Sequence, residues 1–285
     1  MDFIQPTTWE AALAAKAERP SIVPIAGGTD VMVDLNFDRD RPEAILDLTR
    51  VPELRDWTRE NGSLRIGAGV SYTRLIGELG DALPGLALAA RTVGSPQIRN
   101  RGTIGGNLGA ASPAGDCHPP LLAARAEVEL ASVRGARRVP VREFFVAPKQ
   151  SVLAEDELIA AVHVEPARGP QQFSKIGTRN AMVIAACSFA LSIDQEAKRV
   201  GTGIGSAGPT PLVASEAEAF LEGALGAAGA WEQGARLGEA DAARFGELVA
   251  SAARPIDDVR STAAYRVHAL GVLARRALAW SGVAG

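Results

Sequence analysis

The sequence is poor in the side chains that usually announce chemistry. Its 285 residues include 2 cysteines, 3 histidines, 2 tyrosines and 4 tryptophans. Cys117 and Cys187 stand far apart, each without a neighbouring thiol. Two thiolates cannot supply the four that an iron–sulfur cluster needs, nor a structural zinc site without help from histidine. The expectation is therefore no metal on this chain and a reducing compartment, the cytoplasm. No apolar run is long enough to span a bilayer. The start, Met1-Asp2-Phe3-Ile4-Gln5-Pro6, lacks the basic segment and apolar stretch of a secretory signal. Nor does either charge dominate: 30 Lys and Arg face 33 Asp and Glu, for a net charge of −3. That balance leaves no broad basic footprint for nucleic acid or an anionic membrane.

What is present is ordinary globular material. Hydrophobic residues make up 47% and charged residues 22%, enough for two packed domains. Short apolar runs at Ile22–Ile25, Ala44–Leu48 and Leu64–Val70 read as buried strands, the last after an Asn61-Gly62 turn. Trp9–Ala17, Tyr72–Leu79, Leu86–Val93 and Pro119–Arg125 read as helices. Between them, Gly94–Asp116 contains six glycines and two prolines, a density that predicts a long loop or a chain of turns. Glu127–Ala131 and Leu158–Val164 read as strands. A boundary is expected near Pro166–Pro170. Beyond it, Phe173–Gly177, Ala181–Ile193 and Val200–Ser206 predict a small antiparallel sheet. The tail predicts helices at Ser215–Leu221, Ala242–Ala252 and Asp257–Trp280.

Two segments have the composition of ligand loops. Ala26-Gly27-Gly28-Thr29-Asp30 follows a strand directly. Glycine permits positive φ and close approach, so successive N–H groups can converge on an anion such as a pyrophosphate, and Thr29 adds a hydroxyl. The plain alternative is a strand-ending turn. Thr103-Ile104-Gly105-Gly106-Asn107 runs on through Ala111-Ser112 to Asp116. Asn107 can donate and accept, and Asp116 can accept from sugar or ribityl hydroxyls. Its plain alternative is an Ω-loop packed on its own side chains. Together the two loops favour a nucleotide ligand. Gly203-Ile204-Gly205-Ser206-Ala207-Gly208 spells a dinucleotide fingerprint, but Pro209-Thr210-Pro211 follows where a helix must start, so it reads as a glycine-rich strand and turn. Cys117-His118 reads as packing beside the second loop, and Cys187 as a small buried hydrophobe. His163 and His268 fall in strand and helix patterns and read as core or surface groups. Lys175 and Arg179, at the domain junction, either face a ligand held between domains or end a solvated strand.

The two glycine loops, with the run-in Val93-Gly94-Ser95-Pro96-Gln97-Ile98-Arg99-Asn100-Arg101-Gly102, resemble the FAD-binding middle subunit of the molybdenum hydroxylases. That family includes the carbon monoxide dehydrogenase medium subunit and the flavin domain of xanthine dehydrogenase. Lys175-Ile176-Gly177-Thr178-Arg179-Asn180-Ala181 and Ile256-Asp257-Asp258-Val259-Arg260-Ser261 are similar too, so the likeness spans nearly the whole chain. It implies an α+β fold: a two-subdomain FAD-binding domain of the PCMH/VAO type over residues 1–167, with subdomains of about 1–55 and 56–167. A C-terminal flavoprotein domain, 168–285, then supplies a three-stranded antiparallel sheet plus helices. The resemblance places FAD, non-covalently bound, in an extended form between the domains. Ile25, Ala26, Gly27, Gly28, Thr29 and Asp30 are then expected at the pyrophosphate. Thr103, Gly105, Gly106, Asn107, Ala111 and Ser112 line the phosphate and ribityl part, with Asp116 on hydroxyls. Val93, Gly94, Leu158 and Ile159 approach the ring, and Lys175 its edge. The first loop lacks the His or Cys of covalent flavin attachment.

The same resemblance implies a heterotrimer. A large subunit carries molybdopterin and oxidises the substrate, and a small subunit carries [2Fe-2S] clusters. This chain passes their electrons through FAD to an external acceptor. A stand-alone flavin oxidase or reductase is the alternative, disfavoured by an Ala-rich C-terminal part poor in His and Tyr. A non-catalytic nucleotide-binding scaffold is the third reading.

Overall fold

The computed structural model describes residues 1–39 and 41–284, and three main sheets organise them. The first sheet comes from β1 (Asp2–Ile4), α1 (Trp9–Glu18), β2 (Val23–Ile25), α2 (Val31–Asn36) and β3 (Ala44–Asp47). All four residues of β3 are buried, and β1 and β2 run parallel to it on either side. Such fully covered parallel strands read as unbroken apolar runs. Thr8 caps α1 by accepting the Ala11 N–H. At the other end of α1, the buried Lys16 ammonium donates to Pro20 O and Ile22 O, at 2.6 and 3.0 Å.

The second sheet holds the middle of the chain. Its elements are β4 (Trp57–Glu60), β5 (Ser63–Gly67), α3 (Tyr72–Glu78), α4 (Pro84–Thr92), α5 (Pro96–Arg101), α6 (Ile104–Ala110) and α7 (His118–Ala123). These are followed by β6 (Glu127–Ser132), β7 (Gly135–Pro140), α8 (Val141–Phe144), β8 (Phe145–Ala147), β9 (Gln150–Ser151) and β10 (Leu158–Val164). The strands stand in the order β4-β5-β10-β6-β7, all antiparallel, while β8 and β9 form a separate ribbon. The last strand in sequence is thus the central one, and all seven of its residues are buried. A polar ladder crosses three strands: Arg65 donates to Glu129 from Nε and Nη2, at 3.0 and 2.9 Å, and His163 Nε2 lies 2.5 Å from the same carboxylate.

The third sheet is β11 (Gln171–Ile176), β12 (Cys187–Asp194) and β13 (Arg199–Gly205), paired antiparallel in that order. Helices α9 (Ser215–Ala227), α10 (Ala230–Gln233), α11 (Glu239–Ala252) and α12 (Ala263–Trp280) complete the chain. This is the expected α+β arrangement with a three-stranded antiparallel sheet. No helix among the described residues is long and apolar enough to cross a membrane.

Three expectations need correction. Gly94–Asp116 is not a chain of turns; it contains α5 and α6. Both are short and capped, Ser95 accepting the Ile98 N–H with Pro96 in the first turn, and Thr103 accepting the Gly106 N–H at 3.0 Å. Capping and tertiary contact outweigh glycine's helix penalty of about 1 kcal/mol per residue. The strand expected from Ala181 starts at Cys187, because Ala181–Ala186 forms a loop in which Met182 has φ +49°. The last helix starts at Ala263 rather than Asp257. Residues 257–262 instead form a turn whose Asp258 carboxylate accepts from the N–H of Arg260 and of Ser261 and from the Arg260 and Arg266 guanidiniums. These donors hold the Asp258 carboxyl well below the usual carboxylate range despite some desolvation. Val259, inside the helix expected over Asp257–Trp280, is instead fully exposed in that turn.

The glycine-rich strand β13 joins the two halves. Successive side chains on a strand point to opposite faces. The even face carries Val200, Thr202 and Ile204 toward α9, α11 and α12, and Glu218 of α9 accepts from both the N–H and the hydroxyl of Thr202. The odd face carries Gly201, Gly203 and Gly205, and there α7 lies directly on the sheet. A Cβ at Gly201 would sit 1.9 Å from Ala123 O, and one at Gly203 would sit 2.0 Å from Pro119 O. The three glycines thus serve as helix-packing positions, and no helix opens directly after them, the next one beginning at Ser215. Every residue of α7 is buried between this sheet and the preceding domain.

His118 opens α7, fully buried, with its ring 4.5 Å from that of Phe145. Its Nε2 lies 3.0 Å from Asn107 O. Burial depresses its imidazole to about 4, so the folded chain holds it neutral.

The packing generates three predictions. Gly203→Ala is expected to lower the unfolding free energy in urea by about 1–3 kcal/mol, the usual cost of overpacking. Gly223→Ala, in α9 with nothing within 4 Å of the added Cβ, is expected to raise it by about 0.5–1 kcal/mol. His118 gives a pH effect whose sign is fixed by linkage. An unfolded imidazole protonates near pH 6.5 and the folded one only at about 4, so stability is full above 6.5 and lost on acidification. Between about pH 7 and 5 the wild-type chain should lose roughly 2 kcal/mol more than His118→Leu, measured by urea unfolding at each pH.

Candidate cofactor-binding site

The first glycine loop turns the chain from β2 into α2. Gly28 holds φ +79°, a conformation that favours glycine. Gly27 is required by contact: a Cβ there would meet Arg101 O at 2.1 Å and Gly102 Cα at 2.9 Å. Arg101 and Gly102 directly precede Thr103, so the first loop is pressed against the start of the second. Among the described residues, the N–H groups of Gly27, Gly28, Thr29 and Asp30 donate to no protein acceptor. Four successive half-buried or exposed donors on one turn form the concavity that an anion of the phosphate class fills.

The second loop uses its glycines differently. Ile104 N–H donates to Val70 O and Gly105 N–H to Ala68 O, at 3.2 and 2.9 Å, while Gly106 N–H is taken by Thr103 Oγ1. A Cβ at Gly105 would meet Ala68 Cβ at 2.5 Å and Ala68 O at 2.7 Å, so α6 rests on the end of β5 because Gly105 has no side chain. Gly106 and Gly109 face the other way and are exposed; an added Cβ at Gly106 would approach only Thr103 Oγ1, at 3.1 Å. Beyond Gly109 lies Ile159 of β10, whose Cδ1 is 3.7 Å from the Cβ position, while Leu158 is buried. Asn107 Oδ1 is buried without a partner. Ala111 ends α6 at φ +42°, and the Ser112 hydroxyl accepts the Ala114 N–H. His118 holds the carbonyl of Asn107 from behind.

At the domain seam, Lys175 and Asp116 form an ion pair of 2.6 Å with side chains 9% and 10% exposed. The same ammonium donates to Thr92 O at 3.0 Å and Val183 O at 3.1 Å. Burial pushes the Asp116 carboxyl up, and Lys175 and Thr92 pull it part of the way back. Only Oδ2 is engaged; Oδ1 is buried and unpartnered. Such an oxygen is costly to leave unmade inside a protein, which marks it as an acceptor awaiting a donor. Val93 and Gly94 adjoin Thr92, Gly94 at φ +46°, and the Arg99 guanidinium ties both of their carbonyls.

The residues expected from the sequence therefore fall into three neighbouring groups: the turn at 25–30, the exposed side of α6, and the seam around Asp116 and Lys175. Thr92, Arg99, the Arg101 carbonyl and His118 also shape these groups. Backbone carbonyls carry no side-chain signature, so Thr92 and Arg101 could not be found by reading residue types. Cys117 is buried beside Tyr72, and burial pushes its thiol far above the usual range. Among the described residues no cluster of three His, Cys, Asp or Glu is placed to hold a metal.

The donor set fits an elongated ligand with phosphates at one end and hydroxyls further along, as FAD has: free N–H groups at the first turn, an open glycine face on α6, and unpartnered acceptors at Asn107 and Asp116. Comparison with known proteins agrees. Residues 1–167 match the model of the FAD binding domain in molybdopterin dehydrogenase, and residues 172–281 that of the CO dehydrogenase flavoprotein C-terminal domain. The chain is 35% identical over 223 residues to a putative xanthine dehydrogenase FAD-binding subunit of Escherichia coli, covering 75% of this chain and 76% of that protein. It is 29% identical over 266 residues to the carbon monoxide dehydrogenase medium chain of Hydrogenophaga pseudoflava, covering 90% and 88%. Carbon monoxide dehydrogenase from Hydrogenophaga pseudoflava, solved in a form lacking the Mo-pyranopterin moiety, superposes with a TM-score of 0.88 at 26% identity, covering 100% of this chain and 98% of that one. The chain belongs to the FAD-binding medium subunits of the molybdenum hydroxylase family, oxidoreductase components whose partner subunits carry molybdopterin and iron–sulfur clusters.

Proposed function

We propose that this chain is the electron-relay subunit of a three-subunit hydroxylase. It takes electrons from [2Fe-2S] clusters on a small partner and delivers them to an external acceptor, while a large molybdopterin subunit oxidises the substrate in the cytoplasm. FAD, when bound, supplies the chemistry of accepting electrons singly and releasing them in pairs. The protein contributes binding and electrostatics. The N–H groups of residues 27–30 hold the diphosphate, with Ile25, Ala26 and the Thr29 hydroxyl beside it. Thr103, Gly106, Asn107, Ala111 and Ser112 border its onward path, with Gly105 setting the height of α6. Asp116 accepts from a hydroxyl. Val93, Gly94, Leu158 and Ile159 form the walls near the ring, and Lys175 closes the seam. No general acid or base is required of this chain. The observation that carries the reading is the contact of Gly27 with Arg101 O and Gly102, which sets a turn of free N–H groups beside the open face of α6.

Gly106→Val tests the path. The added side chain meets little protein, so the variant should fold with an unchanged urea midpoint. It should lose FAD affinity by about tenfold or more, equivalent to at least ~1.4 kcal/mol, read by flavin fluorescence quenching. Retention of stoichiometric FAD with wild-type affinity would remove α6 from the site. Purified without partners, the wild-type chain should be yellow and should not bleach with purines, N-heteroaromatics or aldehydes. Bleaching by such a substrate in the absence of partners would favour the stand-alone oxidase instead.

A further inference from the structure

An ammonium group has three protons. Those of Lys175 face Asp116 Oδ2, Thr92 O and Val183 O, at 2.6, 3.0 and 3.1 Å. All three are committed, and none is left for a flavin ring. Asp116 is half-committed: its Oδ2 takes Lys175, and its Oδ1 is buried without a partner. Lys175 stands on β11 of the C-terminal domain and Asp116 on the loop before α7, so the pair crosses the seam.

We infer that Lys175 is a positioning residue acting through Asp116: the cross-domain ion pair keeps the Asp116 carboxylate charged and turned so that Oδ1 accepts from a ribityl or ribose hydroxyl of FAD. This rests on the FAD reading above and replaces direct contact between Lys175 and the ring. The other groups facing Asp116 are neutral. Thr92 Oγ1 lies 3.3 Å from Oδ2, and burial pushes the Cys117 thiol and the Tyr72 phenol up. Lys175 is thus the one cation described against this carboxylate. Without it, burial favours the protonated acid, which accepts more weakly than the anion.

The test is the FAD dissociation constant of the full-length apo-chain between pH 6 and 8, by flavin fluorescence quenching. It uses wild type, Lys175→Met, Asp116→Asn and the double variant, with folding checked by circular dichroism. Wild-type affinity should be flat with pH. Lys175→Met should bind more weakly than wild type, with any change in the deficit running toward greater loss at lower pH, because burial favours the protonated Asp116. In the Asp116→Asn background the dependence should vanish, and removing Lys175 as well should change the affinity less than about threefold, because the two substitutions act on one interaction. The double variant leaves no unpaired buried charge, so this arm stands even if Lys175→Met fails to fold. A further large loss in the double variant relative to Asp116→Asn, or a displaced flavin absorption maximum caused by Lys175→Met, would each overturn the proposal in favour of ring contact. Failure of the wild type to take up FAD would instead remove the underlying reading.

Discussion

A helix can bring its backbone against that of a sheet only where the sheet presents no side chains. Gly201, Gly203 and Gly205 clear such a track on one face of β13, and α7 occupies it with Pro119 and Ala123 carbonyls where Cβ atoms would otherwise be. Much of the candidate site depends on that approach. Asp116, Cys117 and His118 lead into α7, so the depth at which the helix sits decides whether Asp116 reaches Lys175 and whether His118 reaches Asn107. The same strand turns Val200, Thr202 and Ile204 to the opposite core, so one seven-residue element serves both domains. Interiors are close-packed and change shape in steps. A displaced α7 therefore moves the acceptors of the cofactor site together rather than one at a time.

The seam combines this packing with a small amount of well-partnered charge. Desolvation by itself favours the neutral form of Asp116. The ammonium at 2.6 Å, itself satisfied by two further carbonyls, offsets that cost. His118 shows the opposite solution. Burial in the absence of a carboxylate partner keeps it neutral, and as a neutral donor it can hold the Asn107 carbonyl. Two buried titratable groups in one loop region thus meet opposite surroundings, one facing a cation and the other none.

Much of this was legible in the residues. The buried strand at Leu158–Val164, the turn at Ala26–Asp30 and the small antiparallel sheet all carry strong local patterns. The glycine spacing of β13 was read rightly as strand and turn because Pro209 and Pro211 forbid the helix a dinucleotide fold requires. Other parts had no local signal. β1 and β4 are short or exposed, and only pairing with β3 and β5 defines them. Helix α5 was hidden by the flanking Gly94 and Gly102, and α6 by its own glycines, of which Gly105 answers to Ala68 in a distant segment rather than to backbone flexibility. Residue types located the candidate site well, but not its division of labour. The first turn offers free N–H groups, whereas those opening α6 are already used, a distinction that depends on the carbonyls of Ala68 and Val70.

The strand order of the second sheet bears on how the chain is made. β10 is the last of its five strands to leave the ribosome, yet it belongs in the middle, between β5 and β6. Until Leu158–Val164 emerges, the β4–β5 and β6–β7 hairpins each present a bare hydrogen-bonding edge with nothing to join them. Exposed edges of this kind pair readily with other chains. Long-range closure of this sort also folds slowly. The nascent N-terminal half is therefore the stage most open to mispairing, and C-terminal truncation ahead of residue 158 leaves two orphaned ribbons without the strand that joins them.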